Sequence, residues 1–205
     1  MHYFQREDLE GLSKIYRLNL LNSVTGYKSA HLVGTRSKTG VENLAIFNSV
    51  VHLGSDPALI GIVLRPTTVP RHTYSNMKET GVFSLNAITR DQISDAHHTS
   101  AKYPKEVSEF DQTKLESEQK NNWEAPFVKD APIQMGCRFE NEYPIKENGT
   151  ILLVGSIQQL YISDPLLLED GWVQLDKEPI VTINGLDGYA LPKLLERFPY
   201  ARPKI

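Results

Sequence analysis

The sequence predicts a mainly β protein, an antiparallel barrel that is closed or partly closed and carries inserted helices. Short runs of β-branched and aliphatic residues, separated by turn residues, recur along most of the 205-residue chain. Segments with helical spacing rarely alternate with these runs, so a doubly wound parallel sheet does not fit. A barrel decorated with helices satisfies both observations.

Composition indicates one globular domain over residues 1–205. Hydrophobic residues make up 40% and charged residues 23% of the chain, and the formal net charge is −3. This charge favours neither nucleic acid nor an anionic membrane as a partner. The N-terminus lacks a signal-peptide core and no run approaches the ~18 apolar residues of a membrane span, which predicts a cytoplasmic protein. Cys137 is the single cysteine, so an internal disulfide and a thiolate metal cluster are excluded.

The first part of the chain is predicted to form short helices and then strands. Apolar residues at helical spacing over residues 7–23 indicate one or two helices. A strand over residues 29–35 and a polar turn follow. Two apolar runs, residues 45–53 and 58–64, flank a Gly-Ser-Asp-Pro turn and predict a hairpin.

A helix and another strand are predicted next. Thr68 can cap this helix, Pro70 suits its first turn, and Gly81 suits the position just past its end. Residues 82–87 have the composition of a strand.

The second half of the chain begins with a polar segment, residues 89–122, that predicts two helices and a surface loop able to act as a lid. Residues 132–146 and 150–163 predict a long hairpin around an Asn-Gly pair, which suits a tight reversal. One or two last strands are predicted within residues 172–183.

Arg71, His72 and Thr73 form the strongest candidate anion site. Free N–H groups and the positive dipole end at a helix start favour a phosphate, and Arg71 adds a forked donor. The alternative is that Arg71 lies on a solvated helix face and Thr73 only supports the cap.

Polar residues also interrupt an apolar strand upstream. Asn43, Asn48 and Ser49 need partners if they are buried, and the edge of a heteroaromatic ring could supply them. The alternative is simple alternation, with these side chains facing water.

His97 and His98 are candidates for the border of a substrate pocket. Neighbouring helical residues point to different faces, so the pair is not expected to chelate a metal, and a surface pair is the alternative. Neither a G-x-G-x-x-G nor a G-x-x-x-x-G-K-[ST] sequence occurs, so a nicotinamide cofactor is not expected in a Rossmann turn.

The order of these motifs resembles the flavin reductase-like family of FMN-binding split-barrel proteins, which includes flavoredoxin-type proteins and reductase components of monooxygenases. The resemblance runs from about Leu20 to Arg202-Pro203 and is strongest over residues 40–86. Residues at spacings compatible with the family pattern are Gly40, Asn43, Ala45, Ser49, Pro57, Thr73, Gly81 and Asn86. Weaker similarities lie in residues 107–111 and 185–189.

The resemblance implies an FMN site and a homodimer whose second subunit helps to cover the flavin. It places the isoalloxazine and ribityl chain along residues 43–49, with backbone N–H groups from Asn48 to Val50 near N1 and the C2 carbonyl. The implied contact residues are Asn43, Ala45, Phe47, Asn48, Ser49 and Val50 for the ring and ribityl chain, Arg71, His72 and Thr73 for the phosphate, and Arg65 and Tyr189 at the border.

The implied function is that of an FMN-binding oxidoreductase, a flavin reductase that takes electrons from NADH or NADPH and passes them to an acceptor. No catalytic side chain is expected, because the flavin carries the chemistry. Two alternatives remain open: an FMN-binding electron carrier or sensor that reacts poorly with nicotinamides, and a split barrel that binds another phosphorylated or heteroaromatic ligand.

Overall fold

The computed structural model describes residues 1–203, which form four α-helices and twelve strands. The helices are α1 (Arg6–Gly11), α2 (Lys14–Ser23), α3 (His72–Thr80) and α4 (Ile93–His98). The strands are β1 (Lys28–Ser29), β2 (His31–Arg36), β3 (Glu42–Phe47), β4 (Val50–Ser55), β5 (Ala58–Leu64), β6 (Val82–Ala87), β7 (Ser117–Glu118), β8 (Phe127–Val128), β9 (Ile133–Ile145), β10 (Thr150–Ile162), β11 (Thr182–Asn184) and β12 (Gly188–Ala190). Turns of 3₁₀ helix occupy Arg90–Gln92, Glu109–Gln112, Asp164–Leu166 and Leu175–Lys177. No helix within residues 1–203 has the length and apolar character needed to cross a membrane.

The main sheet has seven antiparallel strands in the order β3-β2-β6-β9-β10-β5-β4. Its two edge strands, β3 and β4, are separated in the chain only by Asn48 and Ser49. Three extended residue steps span at most about 10 Å, so the two edges must lie close together. No ladder pairs β3 with β4 in the described chain. The sheet therefore curls into an open barrel, and the predicted mainly β fold is confirmed.

The prediction of one strand over residues 45–53 is wrong, because the chain changes partners at Asn48 and Ser49. β3 pairs with β2, whereas β4 pairs with β5. The hairpin with residues 58–64 does form, between β4 and β5. Side-chain hydrogen bonds fix the two residues between β3 and β4. Asn48 donates to the carbonyl of Gly185, and the Ser49 hydroxyl donates to the carbonyl of Val63.

Several other sequence predictions are confirmed. Residues 7–23 contain two short helices, residues 82–87 form β6, and the long hairpin is β9 and β10. The predicted strand over residues 29–35 is divided between β1 and β2, and β12 lies beyond the range predicted for the last strands. The polar segment 89–122 contains a helical stretch that ends with α4, the 3₁₀ turn Glu109–Gln112 and strand β7.

The predicted start of α3 is wrong and its predicted end is right. Arg71, not Thr68, is the N-cap residue, and Pro70 precedes the helix. Proline disfavours α conformation in the residue before it, so Val69 and Pro70 delay the helix start. Gly81 ends the helix in left-handed conformation at φ 75°, where glycine carries no Cβ penalty.

Two large apolar clusters lie on opposite faces of β2, because successive side chains of a strand alternate. Val33, Ile62, Phe83 and Leu85 belong to the cluster shared by strands of the curled sheet and by α3. The second cluster packs β2 and β3 against α4, β8 and β11. Cys137 is buried in the first cluster, and burial raises the pKa of its thiol to about 12.

Candidate functional site

A cleft of about 910 Å³ opens beside the break between β3 and β4. This volume lies near the upper end of the roughly 300–1,000 Å³ found for small-molecule pockets. Most of the predicted site residues line it: Asn43, Ala45, Phe47, Asn48, Ser49, Arg65, Arg71, His72, Thr73 and His97. The sheet edge and α3 form one side, and residues 99–103 form another.

The N-terminus of α3 presents unused donors at one end of the cleft. The first intrahelical hydrogen bond runs from the N–H of Ser75 to the carbonyl of Arg71, so the N–H groups of His72, Thr73 and Tyr74 have no helical partner. Arg71, as the N-cap, provides no side-chain hydrogen bond to them. Uncapped N–H groups and the positive helix dipole favour an anion at this point.

A buried network fixes Thr73 against the sheet. The side-chain amide of Asn43 donates to the Thr73 hydroxyl oxygen at 3.0 Å and to that of Thr35 at 3.4 Å. Asn76, one turn further along α3, also donates to Thr35, at 3.1 Å. Since the oxygen of Thr73 already accepts a hydrogen bond from Asn43, its own O–H remains available as a donor.

Cationic side chains around the cleft lack carboxylate partners. Within residues 1–203, Arg65, Arg71 and Lys102 take part in no ion pair. Nε of Arg71 is buried and has no hydrogen-bond partner. An unpartnered buried donor costs free energy, so an anionic ligand at this end of the cleft would be stabilised by Arg71.

The opposite end of the cleft lies at the break between β3 and β4. Asn48 donates to the carbonyl of Gly185 at 2.7 Å, and Ser49 to the carbonyl of Val63 at 2.8 Å. Asn43 is also satisfied by protein groups. Each of these three side chains therefore has a protein acceptor for a donor group, so these donors do not depend on a ligand. Their hydrogen bonds instead fix the position of the backbone along this side of the cleft.

The two ends of the cleft are separated by the length of one strand. Asn43 meets the start of α3, and Asn48 stands five residues further along the chain. At about 3.3 Å per strand residue, these positions are about 17 Å apart. The cleft thus suits an elongated ligand with an anionic group at one end.

Three predicted site residues do not line the cleft. Val50 packs against the apolar cluster of the curled sheet. The hydroxyl of Tyr189 lies 3.1 Å from Nδ1 of His97, which does line the cleft, and burial raises the pKa of Tyr189 to about 12. His98 is not a lining residue; its Nε2 lies 2.6 Å from the hydroxyl of Tyr103, and adjacent helical residues point to different sides.

Glu109 lines the cleft but was not among the predicted site residues, because the polar segment 89–122 predicted only helices and a surface loop. Its side chain is buried, with 5% exposure, and its Oε2 accepts the N–H of Leu44 on the edge strand β3 at 2.8 Å. The short similarity over residues 107–111 pointed to this segment but not to this contact. Lys102 and Tyr103 are further lining residues that no sequence motif indicated, whereas Asp187 lies within the weaker similarity over residues 185–189.

Within residues 1–203, no group of three or more His, Cys, Asp or Glu side chains is arranged to hold a metal ion. Comparison with known proteins instead identifies the chain by its fold and sequence. The family described as "Flavin reductase like domain" matches residues 28–174, most of the chain. The chain belongs to the flavin reductase-like family.

Solved structures agree with this assignment. A split-barrel protein from Shewanella frigidimarina NCIMB 400, described as a candidate flavin reductase, is 37% identical, with a TM-score of 0.94 over 98% of this chain and 100% of that one. Nitrilotriacetate monooxygenase component B from Bacillus cereus shares the fold at 23% identity, with a TM-score of 0.82 over 98% of each chain. Flavoredoxin of Desulfovibrio vulgaris (Miyazaki F) shares it at 18% identity, with a TM-score of 0.73 over 85% of this chain and 92% of that one.

Proposed function

We propose that this member of the flavin reductase-like family binds FMN in the cleft and catalyses electron transfer from NADH or NADPH to the flavin and on to an acceptor. The observation that carries the proposal is the start of α3, where uncapped N–H groups meet the unpartnered Nε of Arg71 and the free O–H of Thr73. Family membership supports a flavin as the ligand, and a phosphate at α3 favours FMN among the flavins.

The residues of the cleft fit the two ends of FMN. Arg71, His72 and Thr73 would hold the phosphate, and Arg65 adds positive charge at the end of β5. Along β3, Ala45 and Phe47 provide a surface for the ribityl chain. Backbone N–H groups of Asn48 and Ser49 would face the polar edge of the ring.

When bound, the flavin supplies the redox chemistry, and the protein positions and shields it. The cleft of about 910 Å³ would leave room for a second small molecule beside the flavin, and His97, on the cleft lining, would border it. No side chain is needed as a nucleophile or a general base. Rate enhancement would therefore come from holding donor and acceptor together.

We also propose that the protein works as a homodimer. Helices α1 and α2 bury none of their residues, although α2 carries Ile15, Tyr16, Leu18 and Leu21. Exposed apolar surface of this kind is typical of an interaction site. α2 also contributes Asn22 to the cleft lining, so a second subunit packed on α2 would lie beside the flavin.

Two measurements test the proposal in order. Purified protein is titrated with FMN and riboflavin and followed by absorbance and fluorescence, with the expectation that FMN binds and binds more tightly. Oxidation of NADH and of NADPH is then followed in the presence of FMN. Absence of FMN binding would exclude the flavin site. FMN binding with flat traces for both nicotinamides would exclude the reductase and leave an electron carrier.

A further inference from the structure

Glu109 is a buried carboxyl group in the part of the cleft that the proposed function assigns to a phosphate. It begins the 3₁₀ turn Glu109–Gln112 and lines the cleft together with Arg71, His72 and Thr73. Its one side-chain hydrogen bond within residues 1–203 is the N–H of Leu44. It forms no ion pair in the described chain, so no cation of the protein neutralises it at contact distance.

The ionisation of Glu109 depends on the same groups that would bind a phosphate. Burial raises the pKa of the Glu109 carboxyl, while the N–H of Leu44 and the charge of His72 act in the opposite direction. Other charged groups that line the cleft are Arg65 and Arg71, Lys102 and Asp187. Asp111, on the same 3₁₀ turn, is exposed. The charge of His72 at the start of α3 thus offsets part of the cost of burying the Glu109 carboxylate.

We infer that Glu109 and the phosphate of FMN compete for the positive charge at the start of α3, so that Glu109 sets how tightly FMN is held. The inference rests on the proposed FMN site. Two anions in a poorly hydrated cleft repel each other, and a cation that serves one is less available to the other. Glu109 therefore weakens FMN and leaves riboflavin, which has no phosphate, unaffected.

The proposed competition makes FMN affinity change with pH in one direction. A bound phosphate disfavours the Glu109 carboxylate, so binding of FMN takes up a proton at this carboxyl. For a phosphate of fixed charge, FMN affinity is then highest when Glu109 is protonated, and it falls as the pH rises through the raised pKa of Glu109.

Glu109→Gln tests the inference because it removes the charge and keeps a side-chain oxygen that can accept the N–H of Leu44. Dissociation constants of FMN and riboflavin are measured for the full-length chain by calorimetry in two buffers with different ionisation heats. We expect E109Q to bind FMN about tenfold more tightly, the order expected for one nearby unit charge, and to bind riboflavin as the wild type does. Proton uptake on FMN binding should be smaller in E109Q.

Two comparisons make the result specific. FMN itself changes charge near pH 6, and the difference in proton uptake between wild type and E109Q removes that shared contribution. Asp111→Asn is the matched control, since it removes the same charge from an exposed site on the same turn, and FMN affinity should change less than about twofold.

The outcomes that overturn the inference are distinct from failure of the proposed function. If E109Q binds FMN equally or more weakly, Glu109 does not compete with the phosphate. If FMN and riboflavin change together, Glu109 acts on the shared part of the flavin or on the fold. If neither flavin binds the wild type, the FMN site itself is wrong. Should E109Q not fold, equal proton uptake by the wild type with riboflavin and with riboflavin 5′-sulfate, an analogue whose anionic group does not titrate near neutral pH, would also overturn the inference.

Discussion

Arg71 shows how a single residue links the backbone of this protein to its proposed ligand. Its Nε is buried without a hydrogen-bond partner, and the residue forms no ion pair within residues 1–203. A buried donor left in this state costs about 1–3 kcal/mol. Arg71 lines the cleft, so its guanidinium is expected to contribute to ligand affinity and not to the stability of the fold.

Arg71→Ala should weaken FMN binding by about 1–3 kcal/mol, because a charged hydrogen bond to the phosphate is lost. Riboflavin affinity should stay near the wild-type value, and the urea midpoint should not fall, because the variant removes a buried donor that has no partner. The dissociation constants are measured by flavin fluorescence. Arg90→Ala is the control, since Arg90 is exposed and pairs only with the adjacent Asp91. An unchanged FMN affinity in Arg71→Ala would place the phosphate elsewhere.

At the residue scale, the sequence could indicate functional residues that lie within a few positions of one another in the chain. Arg71 and Thr73 were predicted because a helix start and its donors lie within a few consecutive positions, and both line the cleft. Glu109 could not be predicted in this way. Its burial depends on Leu44, which is 65 residues away in the chain, and a glutamate among other acidic residues looks like part of a solvated surface.

At the scale of elements, β3 and α3 are joined by Asn43, which is 7% exposed and bonded to hydroxyls on both β2 and α3. Strand β3 then continues to the break at Asn48. One strand therefore fixes the spacing of both ends of the cleft.

Asn43→Ala should lower the free energy of unfolding by about 1–3 kcal/mol, because buried hydroxyls of Thr35 and Thr73 lose a donor. FMN affinity should fall as well, since Thr73 is no longer held at the start of α3. Urea denaturation and FMN titration measure the two effects. Asn141→Ala, at an exposed position of β9, should change stability by no more than about 0.5 kcal/mol. Equal stability of the two variants would contradict the role assigned to Asn43.

The sequence correctly indicated elements that are marked by particular residues in the chain. It did not indicate element boundaries that depend on pairing between distant strands. Gly81 marks the end of α3, and the Asn-Gly pair marks the long hairpin, because both turns need a residue that tolerates positive φ. The break at Asn48 and Ser49 carries no such signal. The break exists because β3 pairs with β2 at one edge of the sheet, whereas β4 pairs with β5 at the other edge.

At the scale of the whole molecule, the curled sheet leaves apolar surface beside the cleft. Ile15 on α2 is 75% exposed, and Val51 and Leu53 on the edge strand β4 are also exposed. An edge strand with exposed apolar side chains is normally covered, because it would otherwise pair with edge strands of other molecules and aggregate. A second copy of the chain would cover this surface and enclose the flavin.

The proposed dimer predicts that mass and ligand binding change together. Light scattering after gel filtration should give twice the 23.2 kDa of one chain. Ile15→Asp places a charge on the exposed apolar face of α2, so the mass should fall to that of a monomer. FMN affinity should fall with it, because Asn22 of the same helix lines the cleft. Leu167→Asp is the control, because Leu167 is comparably exposed and pairs with Val173 in a separate turn. A wild-type monomer, or a dimer that survives Ile15→Asp, would show that α2 does not form the interface.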